Sequence, residues 1–309
     1  MDVNNIYLLD EIYYQKEMGI YKTRDGKKLS EEEFQQKKNA MLEQYEKFTE
    51  QELAYNDLSR KQTWNQIVSM LLMQEEWLGT ENENNLENHY NGQDLNAWGY
   101  GGIYDCELYL QDRYGVQILT STGESINDNE KYTLRDLSST DNNNCTIGAV
   151  TRLIAHEGRI NIPGFSLSPY VVYPIVKERA IQYGYTPEKG TFPTKINNII
   201  EKSAEDVGRY DVRSKGVYIW NFDSEVVQQI NEKKMVVMNI TRGYYQNHSV
   251  AVVGYKIYTA EVGNSIKEYP MIEIYDGWVE EVRYIDYLDF AFNFKYAGIG
   301  SFNTVYYVD

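Results

Sequence analysis

The order of elements along this chain predicts an α+β fold, with helices first and antiparallel strands afterwards. Up to Lys234, apolar residues recur mainly at helical spacing. Beyond it, MVVMNI, HSVAVVGYKIY, MIEIYDGW, EVRYIDYL and FNTVYYV are β-branched and aromatic runs separated by turns. Composition supports a substantial core: 309 residues, 42% hydrophobic and 14% aromatic, suffice for one large domain or one domain plus a smaller segment.

Residues 1–80 read as helical. Ser30 followed by Glu33 is a capping-box signal, and Phe34, Met41, Tyr45 and Phe48 then share one face. A second helical stretch runs from Thr63 to Trp77. The segment from Gly79 to Gly102, with ENENNLENHYNG inside it, is rich in Asn and Gly and reads as a loop. This divides the chain into a helical N-terminal segment over 1–80 and a second domain over 81–309. Within the latter, helices are expected at 104–113, at 147–154 with Cys145 in the first turn, at 171–183 and at 193–207. A short helix is expected at 222–231, capped by Asp223.

A formal charge of −16 argues against a nucleic-acid partner or an anionic membrane surface, both of which reward basic patches. No apolar run reaches 18 residues, so no membrane span is expected. The first residues, MDVNNIYLLDEIYY, lack the basic and apolar regions of a signal peptide. Twenty-nine tyrosines against nine phenylalanines suggest rings whose hydroxyls reach water. Two cysteines, Cys106 and Cys145, do not make a disulfide framework. Nothing in the sequence indicates an oligomer.

Chemistry concentrates around DNNNCTIGAV. A thiol at a helix N-terminus meets unpaired N–H groups and the positive end of the helix dipole, and both favour thiolate; the alternative is a small buried core residue. Of three histidines, His156 lies 11 residues along the same helix, about 16 Å away, and is expected to stabilise the last turn before Gly158. His89 falls in the Asn-rich loop. His248 remains, at the start of a strand that would hold its ring on rigid backbone. The following strand ends in Asp276, whose carboxylate could accept the His248 ring N–H, although Asp-Gly is also a common turn pair.

NHSVAVVGYKIY followed by IYDGW resembles the papain-like cysteine peptidase superfamily, and its compact bacterial branch in particular. Members carry a catalytic histidine in an H-x-V-A-V-x-G-Y strand and then an Asn or Asp two residues before a tryptophan. His248, Gly254, Tyr255, Asp276 and Trp278 fill those positions, and the order Cys, His, Asp matches. The likeness spans Asn142 to about Val308. Three features depart from the family: the C-G-[SA]-C-[WY] signature is replaced by N-N-N-C-T, Ser139 stands where a glutamine would donate to the oxyanion hole, and Asp276 replaces the Asn of the orienting position, which some members allow.

The resemblance implies a helical lobe carrying the Cys helix, packed on an antiparallel sheet or barrel carrying His248 and Asp276. It implies peptide hydrolysis through a thioester, with Cys145 as nucleophile, His248 as base and then acid, Asp276 orienting it and Trp278 shielding the pair. The oxyanion would rest on the Cys145 N–H and one asparagine, for which Asn142 is the candidate. Residues 1–80 would be a removable pro-segment or an accessory lobe. No cofactor is expected, and no metal, since neither HExxH nor paired CxxC occurs. The expected partner is a peptide or protein substrate. An extracellular or cell-surface bacterial setting is expected, with any signal peptide already removed, and a cytoplasmic one is compatible. The alternatives are a catalytically silent papain-like binding module and another Cys-dependent acyl transferase or amidase.

Overall fold

A computed structural model describes residues 21–22, 28–30, 32–33, 36 and 100–308, apart from 128–129, 162–166, 219, 241–242, 246 and 293–299. The architecture is α+β, and the main sheet is antiparallel with seven strands. Its strands are β3 (Ile118–Ser125), β4 (Val212–Val217), β5 (Val236–Ile240), β6 (His248–Val262), β7 (Ser265–Tyr275), β8 (Arg283–Asp286) and β9 (Gly300–Tyr307). The spatial order is β4-β9-β5-β6-β7-β8, with β3 added alongside β6.

The long strand β6 organises the sheet. Its first part, His248–Val252, pairs with β5, and the stretch from Gly254 to Ala260 pairs with β3. The change of partner coincides with a bulge against β7 between Val252 and Gly254. Gly254 is needed there for space: a Cβ would stand 2.8 Å from Ser125 Oγ and 2.9 Å from the Glu124 carbonyl oxygen. The glycine of the HSVAVVGY run is thus the point where two backbones approach closely.

Helices α3 (Cys145–Asn161), α4 (Pro169–Gln182) and α5 (Ile196–Asp206) build the main core with the sheet. Ile147, Val150, Leu153 and Ile154 of α3 are fully buried, as are Ile196, Ile199, Ile200 and Ala204 of α5, each set repeating at helical spacing. The helix α3 packs on β6 and β5. A smaller core lies between α1 (Cys106–Tyr114) and the outer parts of β6, β7 and β8, and holds Cys106, Leu110, Tyr258 and Met271. Burial there pushes the Cys106 thiol up to about 12.

Several expectations need correction. Helix α3 runs past Gly158 to Asn161, and Gly158 is not its end but the place where Leu167 packs, which a Cβ would approach to 2.0 Å. His156 therefore sits within the helix, buried, with Nε2 donating to the Lys233 carbonyl at 2.8 Å. The stretch 222–231 begins with a π turn, Asp223–Val227, followed by α6 (Gln228–Asn231). Its cap is Asn221 rather than Asp223: Asn221 Oδ1 accepts from Ser224 N at 2.9 Å, and Glu225 accepts from Asn221 N at 2.7 Å. In the N-terminal segment, Ser30 and Glu33 do form a reciprocal capping box. Upstream of it, however, β1 (Tyr21–Lys22) and β2 (Lys28–Leu29) pair as an antiparallel ladder within the stretch read as helical. Phe34, Met41, Tyr45, Phe48, Thr63–Trp77, His89 and the boundary near residue 80 lie outside the described residues.

Among the described residues, several tyrosine hydroxyls turn to carboxylates rather than to water. Tyr109 and Tyr114 donate to Asp286 at 3.0 and 2.6 Å, Tyr284 donates to Glu273, and Tyr307 donates to Glu157. With 46 acidic residues against 30 Lys and Arg, neutral hydroxyls serve as donors to buried carboxylates. Asp286 and Asp289 lie close together beneath Tyr109, and Arg113 pairs with Asp289 at 2.7 Å. Burial raises Asp286 from 3.8 to about 6, further raised by Asp289 and opposed by the tyrosine hydrogen bonds. Its folded pKa exceeds the unfolded one, so its stabilising effect is complete below about pH 4 and lost as pH rises to about 6. Asp286→Asn should remove this dependence, on the order of 2 kcal/mol between pH 4 and 7. Thermal unfolding of both proteins across that range checks it; parallel pH curves would contradict the assignment.

Candidate functional site

The loop before α3 is tied down on both sides. Asn143 adopts a left-handed conformation (φ 49°), which asparagine tolerates, and its side chain donates to the Pro187 carbonyl at 2.6 Å. Asn144 is buried and donates to Tyr173 Oη at 2.9 Å; Tyr173 in turn donates to Asp141, which also accepts from Lys177 at 2.6 Å. Burial opposes ionisation of Asp141, but these donors prevail and hold its carboxyl below the usual range. Asn142 accepts from Tyr185 Oη through its carbonyl, and its exposed side-chain amide makes no hydrogen bond among the described residues. Cys145 then opens the helix, where the first N–H groups have no intrahelical partner.

One hydrogen bond joins this helix start to the histidine strand. Thr146 and Ser249, each one residue beyond Cys145 and His248, meet hydroxyl to hydroxyl at 2.8 Å, fully buried. Ser249 also donates to Asn239 Oδ1 at 2.8 Å. Asn239 donates to Asn303 at 2.8 Å, and Asn303 to Asn197 at 2.7 Å. A buried polar chain therefore runs from the first turn of α3 through β6, β5 and β9 to α5.

His248 is fully buried between two rings. Trp278 stacks on it at a centroid distance of 4.3 Å, and Tyr245 lies on it at 5.7 Å with an interplanar angle of 11°. Its Nε2 lies 2.7 Å from the backbone carbonyl of Asp276. A carbonyl can only accept, so Nε2 carries a proton, and in the neutral ring Nδ1 is the basic nitrogen. The expectation that the Asp276 carboxylate accepts the ring N–H is not met. Its Oδ1 accepts from Trp278 N at 2.9 Å and Val279 N at 3.3 Å, and its Oδ2 from Tyr245 Oη at 3.3 Å. The carboxylate shapes the turn after β7, and the turn presents the carbonyl to the histidine. The sharp reversal uses Gly277 in the left-handed region (φ 79°).

The structure brings Cys145 and Asp276 to one narrow cavity, of about 10 Å³, with Ser249 and Gly277 also in its wall. Cys145 is 5% exposed. Among the described residues, no hydrogen bond links Cys145 and His248. Tyr245, Thr146 and Ser249 were not singled out from the sequence. Asn239 left a trace there, as the one amide inside the apolar run MVVMNI.

Among the described residues, no group of three or more His, Cys, Asp or Glu is placed to hold a metal ion, and no helix is long and apolar enough to cross a membrane. Comparison with protein-family models, with curated proteins and with solved structures gave no match.

Proposed function

We propose that this chain is a papain-like cysteine peptidase whose nucleophile is Cys145 and whose general base is His248. The observation that carries the reading is the 2.8 Å Thr146–Ser249 bond, which fixes the first turn of the cysteine helix against the first residues of the histidine strand. Attack by Cys145 Sγ forms an S–C bond at the substrate carbonyl. Collapse of the intermediate breaks the C–N bond, and His248 delivers a proton to the leaving amine. Water then hydrolyses the thioester, with His248 as base. The oxyanion rests on the Cys145 N–H and, in this reading, on Asn142, whose amide is the uncommitted one of the three. Trp278 and Tyr245 cover the imidazole, and the Asp276 carbonyl holds its proton on Nε2.

Alkylation by iodoacetamide at mildly acidic pH, mapped by mass spectrometry, tests the reading. Cys145 should react at least tenfold faster than Cys106, whose thiol burial holds protonated, and His248→Ala should abolish the difference. Equal, slow reaction of both, in the wild-type chain and in Leu134→Ser alike, would remove the nucleophile assignment. That outcome would favour the second reading, a silent papain-like binding module, which the burial of both Cys145 and His248 supports. Release of ammonia or isopeptide formation in place of new N-termini would instead point to amidase or acyl-transfer chemistry.

A further inference from the structure

The cavity beside Cys145 is small because the chain itself fills it. After β3, Ile126 donates its N–H to Val253, and the segment 130–138 then crosses the space between α3 and the turn after β7. Within it, α2 (Leu134–Leu137) is a single turn capped by a reciprocal Thr133–Asp136 box. Leu134 donates its N–H to the Gly277 carbonyl at 2.8 Å, immediately after Asp276. Its side chain occupies a slot made by two glycines. A Cβ on Gly148 would stand 2.1 Å from Leu134 Cδ2, and a Cβ on Gly277 would stand 2.8 Å from Leu134 Cγ. Two residues earlier, the buried Tyr132 ring lies 4.1 Å from the Arg152 guanidinium, whose other face meets Tyr275 at 3.7 Å. Arg152 also donates to the Glu130 carbonyl at 3.0 Å.

We infer that this segment is an intramolecular occupant of the substrate cleft, and that the site takes a peptide of the pattern aromatic–any–aliphatic in its place. The inference rests on the peptidase reading only in treating the space beside Cys145 as the cleft. The aliphatic side chain enters the slot between Gly148 and Gly277, and its N–H pairs with the Gly277 carbonyl. The aromatic ring stacks on Arg152 opposite Tyr275, a contact that favours a planar π face. With the segment seated, access to Cys145 is restricted; with a matching peptide seated, the segment is displaced.

The test uses the full chain, alkylation by iodoacetamide, and three blocked peptides: Tyr-Thr-Leu, Tyr-Thr-Ala and Ala-Thr-Leu. Leu134→Ser should raise the Cys145 alkylation rate at least tenfold over wild type while Cys106 stays constant. Tyr-Thr-Leu should then slow that reaction at least tenfold more than either partner peptide does. A folded Leu134→Ser variant whose Cys145 reacts no faster, or equal protection by all three peptides, overturns the inference. Should Cys106 accelerate in parallel, the variant has unfolded and the wild-type chain decides. There, Tyr-Thr-Leu alone should increase hydrogen exchange across 130–138, and no increase overturns the inference. The two readings fail separately. Selective protection without any hydrolysis keeps the subsite and removes the peptidase, whereas hydrolysis without sequence preference does the reverse.

Discussion

Replacing His248 with alanine is expected to lower peptide hydrolysis by about 10³-fold, the usual weight of a general acid–base group, while Asp276→Asn stays within about tenfold of wild type. The contrast follows from which atom of residue 276 meets the ring. Where a carboxylate fixes the histidine tautomer, its change to an amide costs roughly 10⁴ in kcat, because the amide can present a donor to the ring. Here the ring donates to the main-chain carbonyl of Asp276, which the substitution leaves in place. Asparagine also keeps an Oδ1 to accept from Trp278 N and Val279 N, so the turn that aims the carbonyl survives. Measuring kcat/KM on a fluorogenic peptide for both variants, with thermal unfolding alongside, separates the cases. A loss near 10⁴ in a well-folded Asp276→Asn would show the carboxylate on the ring during turnover.

The same contrast shows how far the sequence could be read. His248, Asp276 and Trp278 were legible because HSVAVVGY and IYDGW are strands with a turn between an acid and a tryptophan, and the fold does gather all three. Which oxygen of Asp276 meets the ring was not legible. That choice depends on Gly277 adopting a positive φ and on two backbone N–H groups closing on Oδ1, features set by three-dimensional turn geometry. The strands after Lys234 were visible as apolar alternation or as buried runs. The strand β3 was not: ILTSTGES is exposed along most of its length and is held by backbone pairing to β6, so it carries no hydrophobic period. The strand β4, VRSKGV, is short and contains a glycine, and its order comes from pairing with β9. The inward-facing tyrosines among the described residues were not legible, for a physical reason. In a chain with a strong acidic excess, buried carboxylates draw neutral hydroxyl donors inward, which a count of rings cannot reveal.

Asn239→Leu should destabilise the fold by about 3 kcal/mol or more, read as a lower urea midpoint with an unchanged slope. Asn239 is fully buried and makes three side-chain contacts, accepting from Ser249 and donating to Asn303 and Ser301. Leucine has similar bulk, so little cavity is created. The cost comes from buried partners left without a match, at about 1–3 kcal/mol each. If the amide served only to fill space, the leucine variant would be as stable as wild type, and that result would sink the claim that the hydrogen bonds of Asn239 stabilise the fold. Asn239→Asp sharpens the point. It keeps an acceptor for Ser249 but sets a carboxylate oxygen against Asn303 Oδ1, an arrangement of two acceptors that burial penalises. The chain ends at Thr146, next to Cys145. Loosening Asn239 therefore frees Ser249 to abandon Thr146, and the first turn of α3 loses its tie to the histidine strand. Activity per folded molecule should fall in the leucine variant, with kcat reduced more than KM is raised. Unchanged kcat in the folded fraction would confine Asn239 to a purely structural role.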